Sequence, residues 1–439
     1  MKKLIRLFFV LICTVYVCFN AISVEAASFN IDFNPSSESL LLLNLDVDVP
    51  VYEKNVNQRR SPASTTKIMT YIVTIENVKD LENTKITISD EVINMVLGTD
   101  SSIAGLEVGD TVTVYQLLHC LMIPSGNDAA LALADYVGEH DISKFVDMMN
   151  QKAKELGCND THFVNPHGLY DEQHYTTASD MAKMAKYALS LPYFSEITNE
   201  VVSYVMGDDW PLITTNSMID PYNGGTYYYK YAKGIKTGHE NNGFCLVSTA
   251  TKGGNTYLCV ALGAPDTDPN KNGAMIDSKS LYMWAFDNLE IKTVLDEQQP
   301  IGEVNVEYAF NKDKLLVLPA KDFSTVLPYN VEASSIDIVV NYPDTVTAPI
   351  KEGDKIGTAT LCYANQPLQT IDVVASETVN RSQLLYGFAI VKNIVTSKAF
   401  VISSICVIIL LAIYLVITML YNKRNKKNKR KNIRKYRRY

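Results

Sequence analysis

The sequence predicts a mixed α/β (α+β) chain in which helices flank an antiparallel sheet, followed by a small all-β domain and one membrane-spanning helix. Three observations carry this. Apolar residues recur at helical spacing in the first half, at Ile68, Ile72 and Ile75 and again at Ile142, Phe145, Met149 and Leu156. Short apolar runs at Ile235–Gly238, Phe244–Ala250 and Thr256–Leu262 are separated by Asn242-Gly243 and Gly253-Gly254, the pattern of an antiparallel meander. From Ile291 to Ser376 only short β-rich runs remain, and Ala399–Tyr421 is then 23 residues without a charge, enough to cross a bilayer.

Taken in chain order, residues 1–26 read as a signal peptide. Lys2, Lys3 and Arg6 precede an apolar run from Leu7 to Ile22, and Val24-Glu25-Ala26 offers a small-x-small cleavage site; an uncleaved N-terminal anchor is the alternative. Residues 27–289 form the region of mixed elements. A helix follows Ser64. Thr113 and Gln116 make a capping box that opens another, which Pro124 stops, and Gly157 closes the helix of Ile142–Leu156. Residues 290–376 hold the runs Val304–Val306, Leu315–Leu318, Ile336–Val340 and Ile371–Val374 and are expected to be all-β. Residues 377–398 connect this domain to the span at 399–421, and 422–439 form a basic tail.

A length of 439 residues allows two or three domains, and 47% hydrophobic with 20% charged residues excludes disorder for the chain as a whole. The net charge of −8 hides a segregation. Eleven basic and no acidic residues follow Tyr421, whereas Ala27–Tyr421 holds 26 basic and 47 acidic residues, a net of −21. Such a body is a poor nucleic-acid binder, and none is expected as a partner. The basic cluster after the span orients it by the positive-inside rule, with a cytoplasmic tail and an extracellular body. Five of the eight cysteines (Cys120, Cys158, Cys245, Cys259 and Cys362) fall outside the signal and the span, at spacings that fit no disulfide framework or zinc motif. Cys245 and Cys259 read as small buried hydrophobes.

Three short motifs carry the chemistry. In Ser64-Thr65-Thr66-Lys67, serine and lysine at i and i+3 share a helix face, so a neutralised lysine can take the hydroxyl proton. Alone the motif is weak, since about two Ser-x-x-Lys matches are expected by chance in such a chain. Ser125-Gly126-Asn127, after Pro124, is as it stands a turn between helices with Asp128 available as a cap; functionally it aims a hydroxyl and an amide at one point. Lys236-Thr237-Gly238 lies in a strand and offers a cation, a hydroxyl and a glycine that admits a ligand to the backbone; its bland reading is an edge-strand lysine.

In this order the three motifs resemble the Ser-x-x-Lys, Ser-Asp-Asn and Lys-Thr-Gly signature of penicillin-binding proteins and class A β-lactamases, with Gly126 matching the carboxypeptidases better than the class A enzymes. Ser61–Thr70, Pro124–Ala130 and Gly234–His239 resemble the low-molecular-mass D-alanyl-D-alanine carboxypeptidases, as do His162–Leu169 and Thr177–Asp180. The resemblance covers roughly Pro35–Leu289 and implies the penicillin-binding, serine β-lactamase-like fold. It also implies that Ser64 attacks the carbonyl between two D-alanines while Lys67 takes its proton, and that Ser125 relays the proton to the leaving amine. Asn127 then holds the substrate's backbone, Lys236 and Thr237 bind its terminal carboxylate beside Gly238, and the backbone N–H groups of Ser64 and His239 form the oxyanion hole, donors typically worth ~3 kcal/mol each. The implied substrates are peptidoglycan stem peptides ending in D-Ala-D-Ala, with β-lactams as inhibitors. No metal or other cofactor is required, since the six histidines form no His-Glu-x-x-His pair, and His162 and His167 read as structural.

Two departures stand out. Glu240 replaces the threonine usual two residues beyond the glycine. In a regular strand it shares a face with Lys236 and Gly238 and would repel the substrate carboxylate by about 2 kcal/mol; if the chain has already turned toward Asn242-Gly243, it stands in solvent. A full span with a polybasic tail also replaces the family's usual amphipathic helix. Two other functions are weighed. A β-lactamase would need a deacylating base, and no Glu-x-x-Leu-Asn element follows Asn127. A non-catalytic membrane β-lactam sensor would need a cytoplasmic effector, and only 18 residues follow the span.

Overall fold

The computed structural model describes residues 29–436 apart from 241–242, 269–270, 311 and 364–365. The expected signal peptide lies outside the described residues. The chain forms two compact units. The first runs through Leu295 and includes Phe323–Val339 and Thr360–Thr370; the second comprises Asp296–Asp322, Val340–Ala359 and the chain from Ile371 onward.

A five-stranded antiparallel sheet organises the first unit. Its strands are β1 (Ser39–Asn44), β2 (Val49–Lys54), β3 (Ala232–Glu240), β4 (Gly243–Lys252) and β5 (Asn255–Ala264), in the order β2-β1-β5-β4-β3. The meander read from sequence is β3-β4-β5. The central strands are buried on both faces, and side chains alternate between two cores as a period of two requires. Leu41 and Leu43 of β1 join Val247, Leu258 and Val260 on one side. Leu40 and Leu42 join Leu246, Tyr257 and Ala261 on the other.

Helices cover both faces. On the first side lie α1 (Lys67–Asn77), α2 (Val114–Met122), α3 (Asn127–Val137), α4 (Ile142–Glu155) and α5 (Ala178–Leu189). On the second lies α6 (Gly273–Asn288). The capping box forms as expected: Thr113 Oγ1 accepts from Gln116 N–H, and the Gln116 side chain accepts from Thr113 N–H. Helix α2 ends before Pro124, and α3 begins three residues after it, so the Ser125-Gly126 link is short and tightly packed.

In the second unit, β6 (Gly302–Glu307) pairs antiparallel with β7 (Lys314–Pro319) and parallel with β8 (Thr345–Thr347), and β7 pairs antiparallel with the end of β9 (Gln366–Ala375). Val304 and Val306 are buried while Glu303 and Asn305 are exposed, the alternation of a half-buried sheet. Residues 377–398, expected as a plain connection, contain the helix α7 (Gln383–Thr396). The last helix, α8, runs from Lys398 to Tyr436, and its stretch Lys398–Lys426, which holds an 18-residue window of mean hydropathy 3.1, is long and apolar enough to cross a membrane.

Candidate active site

Ser64 sits in a 3-10 turn (Ala63–Thr66) that runs directly into α1, so Lys67 is one turn away on the same face. Lys67 is fully buried, and its Nζ lies 3.0 Å from Ser64 Oγ, 2.6 Å from Asn127 Oδ1 and 2.9 Å from the His167 carbonyl oxygen. The two carbonyl-type oxygens can only accept. They therefore take two N–H bonds, and a neutral amine turns its lone pair to the Ser64 hydroxyl. Burial, with the nearby Lys236 ammonium second, pushes the Lys67 pKa well below that of an ordinary lysine, while Asp128 and Glu240 pull it back up. The arrangement is a serine hydroxyl facing a desolvated amine, the pairing that generates an alkoxide-like nucleophile.

Ser125 and Asn127 reach this point because Gly126 leaves no room for a side chain. A Cβ there would stand 2.6 Å from Asp128 Oδ1 and 2.8 Å from the Cys120 carbonyl oxygen. Asp128, expected as a cap, lies instead within the first turn of α3, whose N-cap is Gly126. Its carboxylate accepts the backbone N–H groups of Ala104, Gly105 and Leu106 as well as that of Ala129, and so fixes the segment after Ser101 and Ser102, which line the cleft.

Strand β3 forms the opposite wall. Ser64, Ser125, Asn127, Thr237, Gly238 and His239 line one cleft of about 770 Å³, while Lys67 and Lys236 are buried beside it. Lys236 Nζ donates to the Thr237 carbonyl oxygen at 3.1 Å, and burial lowers its pKa to about 7. Thr237 Oγ1 lies 2.5 Å from Thr215 Oγ1. The His239 ring stacks on Phe244 and bonds Asp266 at 2.7 Å. Gly238 has a second task that the sequence reading did not foresee. A Cβ there would meet Ala63 Cβ at 3.0 Å and the Pro62 carbonyl oxygen at 3.2 Å, so glycine lets β3 close on the segment leading to Ser64.

After a register shift between Lys233 and Lys236, strand β3 stays in register from Lys236 to Glu240, which pairs with Gly243. The carboxylate lines the cleft yet is engaged: Ser61 Oγ donates to it at 3.0 Å, and the nearby Tyr170 backbone amide favours its charged form. Half-burial raises its pKa. Sequence reasoning also missed His174, a buried ring whose Nε2 bonds Thr66 Oγ1 at 2.8 Å while Nδ1 accepts from Val164 N–H. A lone histidine carries no local signal of such a role. His167, expected to be structural, supplies the carbonyl that receives Lys67, and its half-buried ring has a pKa lowered to about 3 by desolvation. Among the described residues no cluster of His, Cys, Asp and Glu has metal-binding geometry.

Comparison with known proteins shows the family. The D-alanyl-D-alanine carboxypeptidase family matches residues 25–266, and the penicillin-binding protein 5 C-terminal domain matches residues 290–381. The D-alanyl-D-alanine carboxypeptidase DacF of Bacillus subtilis is 31% identical over 354 residues, covering 79% of this chain and 86% of that protein. The D-alanyl-D-alanine carboxypeptidase DacD of Escherichia coli is 29% identical over 384 residues, covering 81% and 92%. Among solved structures, penicillin binding protein 5 of Haemophilus influenzae superposes with a TM-score of 0.67 at 25% identity, covering 80% of this chain and all of that one. The DD-transpeptidase of Streptomyces K15 superposes with a TM-score of 0.53 at 30% identity, covering 59% of this chain.

Proposed function

The chain belongs to the D-alanyl-D-alanine carboxypeptidase family and is a serine-type carboxypeptidase and low-molecular-mass penicillin-binding protein, and from that premise we propose which of its residues perform each step. Ser64 is the nucleophile and Lys67 its base. The observation that carries this is the pair of carbonyl acceptors, Asn127 Oδ1 and His167 O, which leave the Lys67 lone pair aimed at Ser64. Ser64 Oγ attacks the carbonyl between the last two D-alanines of a stem pentapeptide, and its proton passes to Lys67. The backbone N–H groups of Ser64 and His239 hold the oxyanion. As the tetrahedral intermediate collapses, Ser125 relays the proton to the leaving D-alanine amine, and water then hydrolyses the acyl-enzyme. Asn127 orients the peptide; Thr237, with Lys236 beside it, receives the terminal carboxylate. A β-lactam retains its leaving group after ring opening, so its acyl-enzyme persists.

The test is direct. Ser64→Ala should abolish both D-alanine release from a diacyl-L-Lys-D-Ala-D-Ala peptide and covalent labelling by a fluorescent penicillin. Lys67→Ala should come close to the same loss, because nucleophile and base act as a unit. Labelling that survives in Ser64→Ala would overturn the assignment.

The apolar C-terminal helix is a candidate membrane anchor. The eleven basic residues after Tyr421 support an orientation with the catalytic unit outside and the tail cytoplasmic. External protease on intact protoplasts should then remove the catalytic unit and spare an epitope fused after Tyr439. The reverse protection pattern would overturn the orientation.

A further inference from the structure

Glu240 joins the end of β3 to the segment before Ser64 and stands beside a third segment, and each of the three carries one part of the catalytic apparatus. Ser61, whose hydroxyl it accepts at 3.0 Å, lies three residues before Ser64. Tyr170, which lines the same cleft and whose backbone amide favours the charged form of Glu240, lies three residues after His167, the residue whose carbonyl holds Lys67. Glu240 itself is the neighbour of His239 at the end of β3. The segment before Ser64 is also tied to the sheet by Cys245 Sγ, 3.7 Å from the Ser61 carbonyl oxygen, and by the close fit of Gly238 on Ala63. No other carboxylate lining the cleft has this placement: Asp266 bonds His239 at the rim, and Asp100 is exposed.

We propose that Glu240 is a positioning residue that sets the spacing between the backbone of Ser64 and the backbone of His239, and with it the alignment of the two oxyanion donors. The proposal rests on the catalytic assignment above. It requires Glu240 as the acceptor of the Ser61 hydroxyl and makes little use of its charge. The side-chain amide introduced by Glu240→Gln keeps an oxygen for this donor, whereas alanine releases the segment before Ser64. Oxyanion donors act only when they point at the developing charge, and misplacement of the order of 1 Å costs up to about a hundredfold.

The experiment is the kinetics of acylation by a fluorescent penicillin on the detergent-solubilised full chain, for the parent, Glu240→Gln, Glu240→Ala, Ser61→Ala and the double alanine variant. Glu240→Gln should stay within about twofold of the parent in the limiting acylation rate. Glu240→Ala should lose about tenfold in that rate with little change in the half-saturating concentration, the split expected when donors are misaligned in the transition state. The double variant should be no slower than Glu240→Ala, because both changes break one bridge. Gln and Ala variants that both match or exceed the parent would overturn the proposal and leave Glu240 as a repulsive charge, as would a loss confined to half-saturation. If Glu240→Ala fails to fold, the comparison of Glu240→Gln and Ser61→Ala decides: a fast Gln variant with a slow Ser61 variant supports the bridge, and any other order overturns it. A parent that does not label at Ser64 would overturn the catalytic assignment itself, a different outcome from a labelled parent with equally fast variants.

Discussion

Nζ of Lys67 sits 2.6 Å from Oδ1 of Asn127, an atom that accepts and never donates, so the amide holds the lysine without charging it. Asn127→Asp would put a carboxylate in the same place and stabilise the ammonium form. At about 4 Å and an effective dielectric of about 20, the attraction is about 4 kcal/mol, roughly 3 units of pKa. Acylation of Asn127→Asp by penicillin should therefore fall by about a hundredfold near neutral pH and recover as the pH is raised and Lys67 gives up its proton. Asn127→Ala should be slow at every pH. Rate profiles of the same shape for the two variants would show that Asn127 does not govern the charge of Lys67.

Asp128 makes its own prediction. It is buried, and it gathers three backbone N–H groups from Ala104 to Leu106 that have no other acceptor in helix or strand. Asp128→Ala should cost about 3 kcal/mol, the penalty of leaving buried donors unmet. Trp210 reports on this segment, because its Nε1 donates to the Ala104 carbonyl oxygen. A shift in Trp210 emission together with a lowered unfolding midpoint is the expected result, and an unchanged midpoint would remove Asp128 from the account.

The sequence yielded the site where chemistry is local and lost it where contacts are long. The contact of Ser64 with Lys67 was legible because i and i+3 meet on any helix, though only the order of the three motifs set the pair apart from chance Ser-x-x-Lys matches, and the meander was legible because Asn-Gly and Gly-Gly mark its turns. Strands β1 and β2 were not foreseen. Both faces of Ser39–Asn44 are buried, which erases the alternation that identifies a strand. Glu240 was placed on a face by the period of two, but its partner Ser61 lies 179 residues away, a contact no local pattern encodes. His174 and Thr66, 108 residues apart, escaped for the same reason.

His174 is neutral by construction. Nδ1 accepts from Val164 N–H, so the proton on Nε2 is donated to Thr66, and burial lowers the pKa from 6.5 to about 4. Between these values the unfolded chain binds a proton that the folded chain does not, so stability falls as pH drops through that window. The full shift corresponds to about 3 kcal/mol. His174→Phe should remove that part of the acid sensitivity and cost about 2 kcal/mol near pH 8 through the two orphaned groups. An acid limb equally steep in parent and variant would assign the sensitivity elsewhere, His167 being the nearest alternative.

Lys236 gives up its proton at a lower pH than a surface lysine. Burial lowers its pKa from 10.5 to about 7, so across that interval the folded protein holds the amine neutral while the unfolded chain keeps it protonated. The unfolded state binds the extra proton, and stability must rise with pH there, by about 1.4 kcal/mol per unit for one group. Lys67, also depressed by burial, adds to the same slope, so the contribution of Lys236 is read as a difference. Urea unfolding of the detergent-solubilised chain can be followed through Trp210 and Trp284, its only tryptophans, both in the first unit. The parent should gain stability over Lys236→Met steadily as pH is raised from about 7.5 to 9.5, because the methionine has no proton to release. Parallel curves for the two proteins would mean that Lys236 keeps its charge in the folded state, held by an anion rather than stripped of its proton by burial.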